Sequence, residues 1–368
     1  MSRGLESLHR IFEAQQRLRW WRASHRNMME VVRSYHDWLQ AGDYVVTPKL
    51  AYKKGAESTE HLIRHRGVKE ELWGWKDVFW RASCLGVSHF RSDCTGGPAT
   101  ALTTMPMKRK WDVVLLAPSE NSVYRFAPRK TFNAEYVRIR EKIRAYLPTP
   151  SYRVIQDGRA LVEEFVWGVD LNQARSDCAS DAVKGILNRI RLGCLLFVTE
   201  GGRRQVAQDL VSAGDAEVKA FCLARGVEYR VVAKLLGAPR IPSQNDLEPK
   251  NIILTPGGPV VIDLAATNIA WTPFWYDAMR LILTYDADGY WRGSYDLELT
   301  KIFAACRESG VDFNSVRREL AVAYVLIHPE ERLADPSNIR GDIPRDISYA
   351  LAAWNKISGS SRTWKRKT

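Results

Sequence analysis

The sequence predicts an α+β fold in which a small β-rich part is followed by a larger, mainly helical part. Two observations lead to this prediction. Between residues 111 and 168, two pairs of apolar runs, each pair separated by turn residues, flank one segment with helical periodicity. After Asp170 the apolar pattern is mostly helical, except for one short hairpin pattern that ends at Asp263.

The first 108 residues differ from the rest of the chain. Apolar residues between Leu5 and Leu39 fall near helical spacing, and arginines fill the other faces. Tryptophans and histidines are concentrated in the same region. We therefore expect residues 1–108 to form an extra, mainly helical region rich in Trp and Arg. The segment CTGGPAT, from Cys94 to Thr100, is typical of a linker or a glycine turn.

Residues 109–170 carry the β signals in order. WDVVLLAPSENSVYRFAP predicts a hairpin that turns at PSEN, and FNAEYVRIREKIRAYL then predicts a helix with an Asn near its start. YRVIQDGRALVEEFVWG predicts a second hairpin, which turns at Asp157-Gly158. Residues 171–368 are expected to form the larger helical part.

The bulk composition of the 368-residue chain is that of a globular protein, with 45% hydrophobic and 26% charged residues. Its formal charge of +12 favours anionic partners such as nucleotides, phosphorylated substrates, nucleic acid or an acidic membrane surface. Six scattered cysteines without a CxxC pair predict reduced thiols and a cytoplasmic location. No signal peptide is recognised, and no apolar stretch reaches the roughly 18 residues that span a bilayer.

The segment SQNDLEPKNIILTPGGPVVIDL, from Ser243 to Leu264, carries the most chemistry. Phosphoryl transfer from a nucleotide needs positioning, neutralised phosphate charge and an oriented nucleophile. Mg²⁺ prefers oxygen ligands, usually one or two carboxylates together with phosphates and waters. Asp246, Asn251 and Asp263 supply one acid to orient a hydroxyl and two oxygen ligands for metal. Strands on either side of TPGG are expected to bring Asn251 and Asp263 to one end of a hairpin.

This motif resembles the H-[GN]-D-x-x-x-x-N…[IV]-D signature of aminoglycoside phosphotransferases and of choline and ethanolamine kinases. The resemblance covers roughly residues 109–330 and implies a protein-kinase-like, two-lobe fold that uses ATP and Mg²⁺. It implies that Asp246 is the catalytic residue that accepts or orients the substrate hydroxyl. It also implies that Asn251 and Asp263 bind the metal ions.

The resemblance also implies residues that hold the nucleotide. The family has a basic residue on the third strand of its small lobe, and here this residue would be Arg125. Its acidic partner on the following helix would be Glu135, with Glu141 as the second choice. The hinge would be Leu161–Gly168, where the backbone at Glu164 and Val166 could pair with adenine. Asp277 matches an acid that braces the catalytic loop in this fold.

The chain departs from the family pattern in three places. Gln244 stands where the family has a bracing His, and Glu248 stands where related proteins have Lys or His. No clear glycine-rich loop precedes the second strand. These departures keep open a second function class, a pseudokinase-like scaffold that binds a nucleotide or a partner without catalysis.

The leading hypothesis is therefore a small-molecule kinase that phosphorylates a hydroxyl of an antibiotic, a sugar or an amino alcohol. Three acids suit a cationic acceptor: Glu248, Asp286 and Asp288, the last two in a segment rich in aromatic residues. The basic chain as a whole suits an anionic acceptor. A nucleic-acid-binding protein is a third, weaker hypothesis that rests on charge alone. The sequence leaves the acceptor, the nucleotide preference and the oligomeric state open.

Overall fold

The structure is a computed structural model that describes residues 23, 25–47, 50–56, 88–106, 111–127, 131–201, 215–264, 269–306 and 313–327. The chain divides into two compact units. The first comprises Met1–Phe132 and Pro150–Phe165, and the second comprises Asn133–Thr149 and Val166–Thr368. Strands dominate the described part of the first unit and helices that of the second, so the predicted α+β class is confirmed.

The first unit is built on one antiparallel sheet of eight strands, in the order β3-β1-β2-β4-β5-β6-β8-β7. Every neighbouring pair in this sheet is antiparallel, which is the arrangement that short hairpin connections allow. The strands are β1 (Gly42–Val46), β2 (Leu50–Lys53), β3 (Ser88–Ser92), β4 (Ala101–Pro106), β5 (Trp111–Ala117), β6 (Ser122–Phe126), β7 (Tyr152–Ile155) and β8 (Ala160–Glu164).

Within residues 1–108, the described part contains the helix α1 (residues 25–34), a short 3-10 helix (His36–Trp38) and the four strands β1 to β4. The expectation of a mainly helical region stays a prediction, because much of this region lies outside the described residues. Met28 and Val32 of α1 share one buried cluster with Val46, Val113 and Phe126. Because α1 and β1 bury their apolar residues against β5 and β6, this region completes the core of the first unit.

The glycine-rich segment after Cys94 is part of the sheet unit and does not behave as a linker. Ala99 donates a backbone hydrogen bond to Trp38 at 2.9 Å, and Gln40 donates one to Ala99 at 2.9 Å. A Cβ atom on Gly97 would lie 2.3 Å from the carbonyl oxygen of Leu39, so the two backbones meet where only glycine fits.

Both predicted hairpins in residues 111–168 are confirmed. Strand β5 pairs with β6, and the chain turns through Pro118–Glu120 to Asn121, which adopts the left-handed region at φ 50°. Strand β7 pairs with β8 through a turn in which Asp157 and Gly158 have φ 53° and 82°. Asn, Asp and Gly adopt this region at low cost, which explains these residues at the turns.

The second unit is mainly helical in the ranges that the structure describes. Its helices are α2 (Ala134–Arg144), α3 (Ser176–Gly201), α4 (Asp215–Leu223), α5 (Tyr229–Leu236), α6 (Tyr276–Arg292), α7 (Asp296–Ala305) and α8 (Arg317–Ile327). None of the helices within the described ranges is long and apolar enough to cross a membrane.

Helix α2 begins where the sequence predicts it. The side chain of Asn133 accepts a hydrogen bond from the backbone N–H of Tyr136 at 2.9 Å, a cap that contributes about 1 kcal/mol in typical helices. Glu135 lies in the first turn and Lys142 in the last, and both charges complement the helix dipole. Helix α2 belongs to the second unit, and its buried residues include Ile139.

Two small sheets complete the second unit. Strands β9 (Val169–Asp170), β11 (Ile252–Thr255) and β12 (Gly258–Val261) form one antiparallel sheet in the order β12-β11-β9. Strands β10 (Arg240–Ser243) and β13 (Ala270–Pro273) form the other. The segment between β10 and β11, residues 244–251, is called the Asp246 loop below.

Candidate active site

The hairpin β11–β12 brings two of the predicted metal ligands together. Ile252 lies opposite Val261 in the ladder, and the backbone N–H of Ile262 donates to the carbonyl oxygen of Asn251 at 2.9 Å. Asn251 and Asp263 therefore lie at the same end of the hairpin, as the spacing predicted.

The side chain of Asn251 is oriented by Asp246. Its amide nitrogen donates to the backbone carbonyl of Asp246 at 2.8 Å and to the carboxylate oxygen Oδ2 of Asp246 at 3.1 Å. Both residues are buried. Because the NH₂ group is engaged inside the loop, the amide oxygen is directed away from Asp246 and is available as a ligand.

Asp277 braces the start of the Asp246 loop. This carboxylate, in the first turn of α6, accepts backbone hydrogen bonds from Gln244 and Asn245, each at 3.0 Å. Burial raises the pKa of Asp277, and the two backbone donors oppose that rise. Asn245 adopts φ 62°, a left-handed conformation that Asn tolerates, and the hydrogen bond that it donates to Asp277 holds the loop in this turn.

Gln244 occupies the place where the related families have a bracing His. It is completely buried, and its side-chain nitrogen Nε2 donates to the carbonyl oxygen of Ile262 at 2.8 Å. This bond ties the beginning of the Asp246 loop to the residue that precedes Asp263. A glutamine thus supplies a hydrogen-bond brace at this position.

Asp263 is held by the residues on both sides of it. Its φ of 61° is uncommon for a residue with a side chain. The hydroxyl of Tyr136 donates to the carbonyl oxygen of Leu264 at 3.0 Å, and the Nη1 atom of Arg140 donates to that hydroxyl at 2.6 Å. With Gln244 bonded to Ile262, the backbone is fixed immediately before and immediately after Asp263.

Asp246 belongs to a network of alternating charges that runs from the buried pair Asp246 and Arg280 to the exposed Lys250. We call it the Arg280 network: Asp246, Glu248, Lys250 and Arg280. Arg280, on α6, donates from Nη2 to Oδ1 of Asp246 and to Oε1 of Glu248, the latter at 2.5 Å. Lys250 contacts Oε2 of Glu248 at 2.5 Å. The pKa of Asp246 lies above its ordinary value, chiefly because the carboxylate is buried. The positive charges of Arg280 and Lys250 oppose this rise, and the negative charge of Glu248 adds to it.

These residues fit a divalent cation of the Mg²⁺ type. The amide oxygen of Asn251 and the carboxylate of Asp263 are hard oxygen donors at the end of one hairpin. Within the described ranges, no group of three or more His, Cys, Asp and Glu side chains forms a metal site. A two-ligand site matches an ion that keeps waters and phosphate oxygens as its remaining ligands.

Arg125, the predicted phosphate-binding residue, lies on β6 in the first unit and is buried. Its Nε atom is paired with Oε2 of Glu163 on the neighbouring strand β8. Glu135 forms a two-pronged ion pair with Arg138, at 2.8 and 3.0 Å, on the exposed side of α2. The roles of Arg125 and Glu135 toward a nucleotide stay predictions.

The predicted hinge contains the point at which the chain passes from the first unit to the second, between Phe165 and Val166. The backbone N–H of Glu164 donates to the carbonyl oxygen of Ser151 at 2.9 Å, and its carboxylate accepts from the hydroxyl of Ser151 at 3.0 Å. Any adenine contact from Glu164 would therefore use its carbonyl group. The adenine-binding roles of Glu164 and Val166 stay predictions.

The acids proposed near the acceptor have different surroundings. Asp286 interrupts α6 at φ −151°, and its Oδ1 accepts the backbone N–H of Gly289 at 2.9 Å. This bond caps the following turn, which is a structural role. Asp288 is exposed.

No model of a known protein family matches the sequence, and no curated protein matches it. Among solved structures, an aminoglycoside phosphotransferase from Streptomyces rimosus is 16% identical, with a TM-score of 0.36 over 61% of this chain and 91% of its own. A choline/ethanolamine kinase family protein from Mesorhizobium loti is 12% identical, with a TM-score of 0.34 over 70% and 87%. A microcompartment-associated aminopropanol kinase is 14% identical, with a TM-score of 0.41 over 70% and 89%.

These solved structures belong to the same classes of protein that the motif around Asp246 resembles. At identities of 12–16% the likeness to them is one of fold.

Sequence reasoning missed two residues that hold the site, Arg280 and Tyr136. Arg280 lies one helical turn after Asp277, so the two share a face of α6, and this spacing was the available signal. Tyr136 acts through a contact with Leu264, 128 positions away in sequence, and no local pattern predicts such a contact.

Proposed function

We propose that this protein is an ATP-dependent phosphotransferase that phosphorylates a hydroxyl group of a small molecule such as an antibiotic, a sugar or an amino alcohol. The observation that carries the proposal is the pair of hydrogen bonds from the Asn251 amide to Asp246. They set an acid beside an amide oxygen that is directed away from it, at the end of the hairpin that also carries Asp263. Phosphoryl transfer needs this combination of an orienting acid and two oxygen ligands.

In this proposal each residue has one task. Asn251 and Asp263 hold Mg²⁺, which neutralises phosphate charge when bound. Asp246 accepts the hydrogen bond of the acceptor hydroxyl and aims its oxygen at the terminal phosphate. Asp277, Gln244 and the other braces keep these groups in place, because positioning supplies much of the catalysis in this chemistry.

A non-catalytic, nucleotide-binding scaffold is the second candidate. The observation that favours it is that both oxygens of the Asp246 carboxylate already have partners inside the protein, Arg280 and Asn251. This scaffold would bind a nucleotide or a partner. The two candidates differ in whether the protein turns over ATP and whether Asp246 is needed for that turnover.

The experiment is ADP release from MgATP in the presence of a panel of amines, sugars and antibiotics that carry hydroxyl groups, compared between wild type, Asp246→Asn and Asp181→Asn. Asp181 is an exposed acid on α3 and serves as the matched control. We expect acceptor-dependent ADP release that Asp246→Asn lowers by about 10²- to 10⁴-fold and Asp181→Asn leaves unchanged. No acceptor-dependent ADP release from wild type would support the scaffold, and equal turnover in wild type and Asp246→Asn would contradict the role proposed for Asp246.

A further inference from the structure

The Asp246 loop carries two acids that require a common partner. Asp246 and Glu248 are separated by a single residue, and both carboxylates approach the same nitrogen of Arg280. Two carboxylates so close together repel each other, and burial strengthens the repulsion. The Arg280 guanidinium contacts both carboxylates, and its positive charge offsets this repulsion.

Arg280 reaches this position from outside the loop. It lies on α6, three residues after Asp277, and its side chain is 4% exposed. Asp277 holds the backbone at residues 244 and 245, and Arg280 holds the side chains at residues 246 and 248. Consecutive turns of one helix thus fix consecutive parts of the loop.

The ion pair determines the orientation of the Asp246 carboxylate. Arg280 holds Oδ1, and the Asn251 amide holds Oδ2 at 3.1 Å. Removal of the guanidinium would leave Asn251 as the one remaining side chain known here to hold the carboxylate, and would leave Glu248 as a repelling neighbour. The carboxylate would then leave the orientation seen here, and misplacement by about 1 Å can cost about 100-fold in rate.

We propose that Arg280 is the positioning residue for Asp246: it clamps Asp246 and Glu248 onto helix α6, and so holds the carboxylate in the orientation that phosphoryl transfer uses. This inference rests on the proposed function. Arg280 itself touches neither nucleotide nor acceptor in this account. Its contribution therefore belongs to turnover and not to nucleotide binding.

The test measures ADP release from MgATP, with water as the acceptor, for wild type and for Arg280→Lys, Arg280→Met and Glu248→Gln. We expect Arg280→Met to lower kcat by about 30- to 100-fold while KM for MgATP changes by less than about twofold. Arg280→Lys keeps the charge but not the planar guanidinium, and should retain between about a tenth and about a third of wild-type kcat. A kcat for Arg280→Met within about threefold of wild type overturns the inference, as does a loss confined to KM.

Arg317→Met is the matched control. Arg317, on α8, forms a partly buried ion pair with Asp296, and neither residue belongs to the Arg280 network. This variant loses an Arg–Asp pair in the same unit, so it reports any effect of general destabilisation on kcat. We expect its kcat to stay within about twofold of wild type.

A mutant cycle separates failure of this inference from failure of the proposed function. If Arg280 acts through Asp246, Arg280→Met should cost less than about threefold in kcat when Asp246→Asn is already present. Independent, multiplicative losses overturn the inference while the proposed function stands. Wild-type turnover in Asp246→Asn, or no turnover in wild type, overturns the proposed function and the inference with it.

The test also holds if Arg280→Met does not fold. The more conservative Glu248→Gln replaces the charge-assisted bond that anchors the Arg280 guanidinium by a weaker neutral one, and it keeps the bond between Arg280 and Asp246. We then expect kcat to fall by about 3- to 10-fold, again with KM for MgATP unchanged within about twofold. An unchanged kcat in both Glu248→Gln and Arg280→Lys overturns the inference.

Discussion

The side-chain amide of Gln244 donates a hydrogen bond to the backbone carbonyl of Ile262 at 2.8 Å, and this bond joins the Asp246 loop to the segment that carries Asp263. The two residues are 18 positions apart in sequence. The bond lies between the acid proposed to orient the acceptor and the acid proposed to bind metal. It shows how a glutamine can brace this site.

We expect Gln244→Leu to lower the free energy of unfolding, because it removes the hydrogen bond to Ile262. Leucine has a similar volume but no donor, so the carbonyl of Ile262 loses this partner inside the protein, at a cost of about 1–3 kcal/mol. Urea denaturation should report that loss in the free energy of unfolding. Gln173→Leu, at an exposed glutamine, is the control, and equal stabilities of the two variants would contradict the brace.

We expect Tyr136→Phe to bind Mg²⁺·ATP more weakly than wild type. This substitution removes the bond to Leu264 and the acceptor for Arg140. Asp263 loses its support on one side, so we expect the affinity for Mg²⁺·ATP to fall by about 3- to 10-fold. Isothermal titration can measure this. Tyr124→Phe removes an exposed bond to Glu120 in the first unit and should bind as wild type does.

The buried pair of Arg125 and Glu163 allows a structural role to be separated from nucleotide binding. Breaking a buried ion pair from one side costs about 3–5 kcal/mol, whereas replacing both partners by apolar residues is often close to neutral. Arg125→Met should therefore be unstable, and Arg125→Met/Glu163→Leu should recover most of the stability. Thermal unfolding reports the recovery.

The double variant then tests the predicted phosphate contact. If Arg125 holds phosphate, Arg125→Met/Glu163→Leu should fold and yet bind MgATP at least about tenfold more weakly, as expected for loss of a charge-assisted bond. Wild-type affinity in this variant would show that the pair serves the sheet alone.

The thiol of Cys222 predicts a pH dependence of stability. Burial raises its pKa from the ordinary value of 9.0 to about 11, although Arg225 lowers it somewhat. The folded protein therefore keeps the thiol proton at pH values where the unfolded chain loses it, and ionisation favours the unfolded state. The stabilising effect of Cys222 relative to Cys222→Ala should be complete below pH 9.0 and decline towards about pH 11.

Urea denaturation of wild type and Cys222→Ala across this range measures the effect. The corresponding pair at the exposed Cys178 is the control for titration of the rest of the chain. If the difference in unfolding free energy between wild type and Cys222→Ala stays constant between pH 9.0 and about 11, the raised pKa of Cys222 is contradicted.

The parts of the fold that the sequence predicted are those encoded by short-range patterns. The hairpins β5–β6, β7–β8 and β11–β12 each join adjacent runs through a short turn, and Asn133 marks the start of α2. In each case the residues that determine the turn or the helix start lie within a few positions of it in the sequence. The Asp246 loop was found in the same way, because its residues have fixed spacing.

The parts that the sequence did not predict depend on distant pairing. Strand β2 pairs with β4, so Ala51 lies opposite Leu102, about fifty positions away along the chain. The tryptophans of the N-terminal region favoured a core or interface role without indicating their partners, and Trp38 packs against the buried cluster with its ring centroid 5.0 Å from that of Phe126. Long-range partners of this kind follow from tertiary packing and leave no periodic mark in the sequence.

The binding of a metal–nucleotide complex is the central claim, and thermal shift measures it directly. Wild type, Asp263→Ala and the control Asp181→Ala are heated with ATP, with Mg²⁺ alone and with both. Binding to the folded state alone raises the melting temperature by mass action. We expect a shift that needs both ATP and Mg²⁺, persists in Asp181→Ala and disappears in Asp263→Ala. An equal shift in all three proteins, or none in wild type at millimolar nucleotide, would contradict the account.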